Sequence, residues 1–459
     1  MDPSPAADAV RLVSRTRRID RPAFRAAFEA VPRPRTVWGA PTEATVVAGG
    51  SAATLTASGP DRFASLREAA ADVFSSGDVH AGTEAACPRL FGGFAFHEAA
   101  TDGDPWGSFP EARFVLPRVQ VTEAENGTWL TVNALDPDAT AVDVEERLDR
   151  AVETFDRLRR SGELDRRPDR PGIAGLRPTT SREEWRLGVE SATDRIREGE
   201  LDKVVLAQAL SADLRRDIPL AATLERLRET HPNCYPFLIE TDSDSDTNVD
   251  SSPDSDGTAF LGATPERLVS LRGRTVETDA LAGTTGRGET PEEDEWLAAE
   301  LAADAKNVHE HDLVVEAIRE QLSPMAASIA AGDRRVKRLA TVQHLHTPIT
   351  AELEGNAHVL SLVEALHPTP AVGGLPPAAA LSTIRETEPF DRGWYAAPIG
   401  WFDAAGNGTF AVGIRSAVAE GDRATLFAGV GIVADSDAET EWDEIQLKYR
   451  PILDELEAG

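Results

Sequence analysis

Lysine is nearly missing from this chain: of its 47 basic residues only Lys203, Lys306, Lys337 and Lys448 are lysines, and the rest are arginines. Cysteine is almost as scarce. Cys87 and Cys234 stand far apart, outside any spaced metal-binding or redox motif, which excludes a disulfide framework and points to two reduced core residues. No stretch of 18 apolar residues occurs, and Met1-Asp2-Pro3-Ser4-Pro5 offers no basic segment followed by an apolar run, so neither a membrane span nor a leader is expected. Positive charge is in deficit too. With 78 acidic residues the formal charge is −31, which excludes sequence-independent nucleic-acid binding and attraction to an anionic membrane, since both need a basic face. Acidic residues spread along the whole chain describe a surface tuned for concentrated salt, and we expect a soluble protein of a salt-loving cytoplasm, monomeric or a weak homo-oligomer. An anionic substrate would then need a local positive site within a negative field.

What is present is enough chain, 459 residues, for two ordinary domains or one large layered unit with two halves. Residues 1–175 alternate short β-like runs (44–48, 92–96, 113–117, 129–132) with Gly/Pro-rich loops, and the spacing of Val144, Leu148, Val152, Phe155 and Leu158 predicts a helix over 142–160. Gly92-Gly93 reads as a tight bend in a sheet. A polar connector at 163–172 leads into a second region, 176–455. There, Ser181 and Glu184 form a capping box for a helix that ends at Gly199 and delivers the chain to a strand beginning at Lys203. A lysine at a strand start ordinarily points into water from a sheet edge. It is also the one cationic side chain that can act as a base, because its ammonium loses a proton when desolvated and a guanidinium does not.

Further on, residues 241–257 are almost entirely Asp, Ser, Thr and Asn and read as a solvated acidic insertion between two strands. Glu266 follows Thr264-Pro265 at a strand end. Residues 281–286 (Leu-Ala-Gly-Thr-Thr-Gly) read as a loop whose glycines let backbone N–H groups approach an anion. Thr290, Pro291 and Glu293 start a long helical region containing His309-Glu310-His311. Two histidines two positions apart point to different sides of a helix, which is wrong for shared zinc ligation and leaves Glu310 as the better ligand. Glu441, Glu444 and Lys448 recur at i, i+3 and i+7, on one face of a helix that follows an apolar strand rich in glycine (425–433). A solvated charge ladder gives the same spacing.

Taken in order, Lys203-Val204-Val205-Leu206-Ala207, Thr264-Pro265-Glu266, Leu281-Ala282-Gly283-Thr284, His309-Glu310-His311, His367-Pro368-Thr369-Pro370-Ala371, Gly413-Ile414-Arg415, the 427–433 strand and Glu441-Trp442-Asp443-Glu444 resemble the chorismate-utilising enzymes, and among them the isochorismate synthases. The likeness is dense over 181–453 and thinner before it, where Phe91-Gly92-Gly93-Phe94-Ala95-Phe96 still fits. It implies an α+β fold of large, mostly antiparallel sheets with helices outside, in a single catalytic unit, and a buried Mg²⁺-dependent site between layers. By the same resemblance, Lys203 is a general base that activates water and Glu266 a general acid for the departing hydroxyl of chorismate. Glu310 and Glu444 are then magnesium ligands with Glu441 nearby, and Gly283, Thr284, His344, Ala371, Arg415, Gly429 and Lys448 hold the substrate. Ammonia-using relatives, the anthranilate and aminodeoxychorismate synthases, usually lack a lysine at 203, and the latter carry one where Ala282 stands; both features favour water. Gln208 departs from the arginine that often ends the first motif. Salicylate synthases share the lysine and the glutamates, and the chain does not say whether a menaquinone or a siderophore pathway is served. The competing class is a non-catalytic acidic metal-binding or assembly module on the same fold.

Overall fold

A computed structural model describes residues 11–41, 43–98, 103–161, 166–241 and 257–458; the expected acidic insertion lies outside the described residues except at its ends. The strands form one continuous hydrogen-bonded system that folds into two wings. In the first wing, Arg35–Trp38, Tyr235–Glu240, Ala259–Thr264, Ser416–Glu420, Arg423–Ile432 and Lys203–Leu214 pair successively. In the second, Arg89–Phe94, Pro398–Asp403, Gly408–Val412, Arg267–Arg272, Thr275–Gly286 and Val342–Leu353 do the same. The long strand Ala112–Ala124 joins them, pairing with Thr45–Ala57 on one edge and with Arg89–Phe94 on the other. Among these pairings only Leu12–Ile19 with Gly77–His80 is parallel. The fold is therefore α+β with a large antiparallel sheet, as the resemblance implies, and ten α-helices are described around it.

Early strands are spliced into both wings, so the larger of two hydrophobic cores draws on residues from Leu12 to Leu456, and the smaller one also joins residues of both halves, such as Phe28 and Leu238. An aromatic column shows this directly: Trp106, from the first half, stacks on Phe427 at 5.3 Å, and Phe427 stacks on Tyr395 at 5.2 Å. All three rings are buried. Each such pair is worth about 0.5–1.5 kcal/mol beyond its buried area, and the column ends at the cavity between the wings.

Local readings hold where side-chain chemistry fixes them. Ser181 and Glu184 form the reciprocal capping box, and Thr290 caps the helix that starts at Pro291. The long helical region is two helices, Pro291–Ala303 and Ala305–Leu322, divided at Asp304, whose carboxylate accepts the Asn307 N–H. Two other expectations are corrected. Gly92 and Gly93 are no bend but lie inside a fully buried strand, and a Cβ on Gly92 would stand 1.9 Å from the Arg113 carbonyl oxygen; close strand approach excludes a side chain. Residues 281–286 are no loop but the end of a strand, interrupted by a bulge at Gly283 with φ +75°.

Gly374 holds the short strand Gly374–Leu375 against Lys203 and Val204, with φ +141° and room for a Cβ only 2.3 Å from the Lys203 carbonyl oxygen. Gly374→Ala combines an unfavourable φ with overpacking and should lower stability by about 2–5 kcal/mol in denaturant unfolding. A change under about 0.5 kcal/mol would mean that this contact does not constrain the strand.

Candidate active site

Lys203 starts its strand, but not at an edge and not in water. Its side chain is 1 % exposed; Lys203 pairs with Leu375 on one side, and pairing on the other side starts at the next residue, Val204. The ammonium lies 2.8 Å from a carboxylate oxygen of Glu310, on the Ala305–Leu322 helix. What admits that contact is a glycine on the neighbouring strand: a Cβ at Gly431 would sit 2.6 Å from Glu310 Oε1 and 2.9 Å from Lys203 Cε. The solvent-facing reading of Lys203 fails because both the helix and Gly431 leave it a dry, acidic partner.

Glu310, Glu266, Gly283, Thr284, His344, Ala371, Arg415, Gly429, Glu441, Glu444 and Lys448 all border one cavity between the wings, while Lys203 does not line it but is paired with Glu310, which does. Residues from nine places in the sequence thus converge. Burial pushes the Glu266 carboxyl up to about 7, against the pull of Lys203, Lys337, Arg415 and Lys448. His344 hydrogen-bonds Thr284 Oγ1 at 3.1 Å, and burial, with Arg415 and Lys448 nearby, holds its pKa well below the ordinary value, so the ring is neutral. Arg415 has φ +52°, an uncommon conformation for a side-chain-bearing residue, and this turn aims its buried guanidinium at the cavity.

The Ala438–Leu456 helix is no solvated ladder. Glu441 is buried and takes a 3.2 Å contact from Lys306; burial and the neighbouring Glu444 charge raise its pKa. Glu444 pairs with Lys448 at 2.7 Å, and Lys448 also donates to the Gly429 carbonyl at 2.8 Å. Burial works to raise the Glu444 pKa, but Lys448 and a hydrogen bond from Thr284 outweigh it and the carboxylate stays ionised. His311 is buried and bonded to Thr347 Oγ1 at 2.8 Å, away from the cavity, in agreement with the argument against shared histidine ligation. Among the described residues no three His, Cys, Asp or Glu side chains are gathered closely enough to hold a metal ion by themselves. Each of the three expected metal carboxylates instead faces a lysine.

Sequence reasoning missed Lys306, Lys337 and Tyr395. Lys337 donates to the carbonyl of Pro265, the residue before Glu266, at 2.9 Å, and Tyr395 borders the cavity with its hydroxyl against Gly429. The signal for the two lysines was in the composition: all four lysines of the chain gather at this site, while arginine serves everywhere else.

Comparison with known proteins agrees with this geometry. Residues 4–457 match the chorismate binding enzyme family. The chain is 37 % identical over 470 residues to the salicylate biosynthesis isochorismate synthase of Pseudomonas aeruginosa, covering 98 % of this chain and 93 % of that protein. It is 37 % identical over 373 residues to an isochorismate synthase of Bacillus subtilis, covering 80 % of this chain and 74 % of that one. The solved menaquinone-specific isochorismate synthase of Escherichia coli superposes with a TM-score of 0.77 at 28 % identity, over 98 % of this chain and 96 % of the other. A cavity built from those motifs, on that fold, with a family match along nearly its full length, places the chain among the chorismate-binding enzymes.

Proposed function

We propose that the protein is an isochorismate synthase, converting chorismate to isochorismate by adding water at C2 while the C4 hydroxyl leaves and a ring double bond shifts. The observation that carries this reading is a buried glutamate of raised pKa, Glu266, bordering the same cavity as Glu310, whose carboxylate is paired with the buried Lys203. Burial keeps Glu266 protonated near neutral pH, the state a general acid needs, and Lys203 is the buried amine available as its partner base. Lys203 takes a proton from the attacking water. Glu266, still protonated near neutral pH, gives one to the departing hydroxyl. Chorismate carries two carboxylates, and Arg415 and Lys448 supply positive charge where the negative exterior of the protein would otherwise repel it. Neutral His344 and the backbone around Gly283, Thr284, Ala371 and Gly429 shape the pocket for the ring.

Magnesium fits the donor chemistry of Glu310 and Glu444, two carboxylates on one cavity wall with Glu441 beside them, because Mg²⁺ takes few protein oxygens and completes its shell with water and substrate. Bound there, it would neutralise a substrate carboxylate.

Incubation with chorismate and Mg²⁺ in high salt, with chromatographic separation of isochorismate, salicylate and anthranilate, should give isochorismate as the product. Lys203→Gln keeps most of the side-chain volume and should cut that turnover by about 10² to 10⁴ while chorismate still binds. Near-normal turnover by the variant would remove Lys203 as the base.

Glu266 gives a prediction in stability as well. Its ordinary value is 4.5 and its folded value about 7, so between these the folded protein keeps a proton that the unfolded chain releases, and stability falls as pH rises through this window. Glu266→Gln has no such proton. Its stability relative to wild type should grow by about 3 kcal/mol between pH 4.5 and 8 in denaturant unfolding. A difference that stays flat with pH would show that the carboxyl ionises as in water.

A further inference from the structure

The strand that carries Lys203 has a gap along one edge. Its other edge is paired by Arg423–Ile432 from Val204 to Asp213. On the gapped edge, Gly374–Leu375 reaches only Lys203 and Val204, and Ile173–Pro178 reaches only Leu210 to Leu214. The backbone groups between these two segments sit in a dry interior, where unpaired N–H and C=O groups are not tolerated.

Side chains close most of that gap. Glu388 accepts the Ala207 N–H at 2.8 Å, and Arg392 donates to the Val205 carbonyl at 2.8 Å. The same guanidinium donates to the Val372 carbonyl at 2.8 Å, next to Ala371 at the cavity, while Val205 N–H bonds the Gly373 carbonyl at 2.8 Å. Arg392 and Glu388 hold each other by two hydrogen bonds of 2.8 and 2.5 Å, with side chains 1 % and 3 % exposed, and Phe96 lies under the guanidinium at 4.5 Å. Arg392 borders the cavity, yet four of its five N–H donors are taken up by these protein acceptors, which makes its main work the bracing of the backbone.

We infer that Glu388 and Arg392 form a positioning pair, standing in for a missing stretch of strand and fixing the strand of the base to the loop that presents Ala371. This rests on the reading of Lys203 as base. A buried ion pair is by itself a poor source of stability, since apolar residues of similar volume often serve as well. Apolar residues cannot bind Ala207 N–H, Val205 C=O and Val372 C=O together. A lysine at 392 cannot either, because its ammonium lacks the planar fork that reaches several acceptors in fixed directions.

The test compares wild type with Arg392→Met, Arg392→Lys and the double variant Glu388→Gln/Arg392→Met, measuring Tm, kcat and KM for chorismate against pH with Mg²⁺, and amide hydrogen exchange over residues 204–208. Arg392→Met, with Glu388 left alone in the interior, should lose both Tm and kcat. The double variant should regain most of the Tm, but kcat should remain at least ~30-fold down with a smaller change in KM, as expected for a base that is no longer held in place. Arg392→Lys, which keeps the charge, should still lose at least ~10-fold in kcat. Recovery of kcat together with Tm in the double variant would overturn the inference and leave the pair a stabilising element only. Should wild type make no isochorismate, the functional reading fails separately; faster exchange over 204–208 in the double variant would still support the anchor, and unchanged exchange would overturn it.

Discussion

An ammonium and a carboxylate held together out of water, Lys203 against Glu310, set the terms for the rest of this structure. Both charges lose their hydration when the chain folds, and a mutual attraction of about 4 kcal/mol at 4 Å and an effective dielectric of 20 repays that loss only where the geometry is good. The surroundings serve that geometry. A glycine at 431 lets the two side chains meet, pairing on both edges keeps the strand from drifting, and the helix that carries Glu310 is started independently by the Asp304 cap.

The distribution of cations extends the same logic to the whole molecule. A formal charge of −31 repels a dianionic substrate, and screening in salt reduces that repulsion at long range without supplying a binding site. The site is supplied by lysines, each with a nearby oxygen partner: Glu310 for Lys203, Glu441 for Lys306, Glu444 for Lys448, and the Pro265 carbonyl for Lys337. A compact ammonium fits between closely spaced carboxylates, where a planar guanidinium demands more room and more acceptors. Arginine is kept for salt bridges on the exterior and for positions such as Arg392 and Arg415 where a fork or a larger reach is wanted.

Much of this was legible in the chain. Capping boxes, helix spacing and the ordered motifs led to the fold and to most of the charged side chains that border the cavity, though not to Lys306, Tyr395 or Arg392, because they depend on local chemistry and on a likeness spread along the sequence. The misreadings share a physical cause. Gly92-Gly93 and the 281–286 segment carry the composition of turns, and only the partner strands reveal that their glycines serve close approach and a bulge. The ladder at 441–448 has the spacing of an exposed helix face, and nothing local reports that Lys306 and Gly429 wait opposite it. The pairing of metal-type carboxylates with lysines was equally hidden, since sequence separation between partners exceeds 100 residues for Lys203–Glu310 and Lys306–Glu441.

The central claim, that buried Lys203 and Glu266 run water addition at one carbon against hydroxyl loss at another, has a direct isotopic test. Chorismate turned over in H₂¹⁸O with Mg²⁺ should give isochorismate carrying one ¹⁸O, at the C2 hydroxyl, with the original C4 oxygen released to solvent. Isochorismate formed without label would mean that the hydroxyl moves within the substrate, and no water-activating base would be needed at position 203.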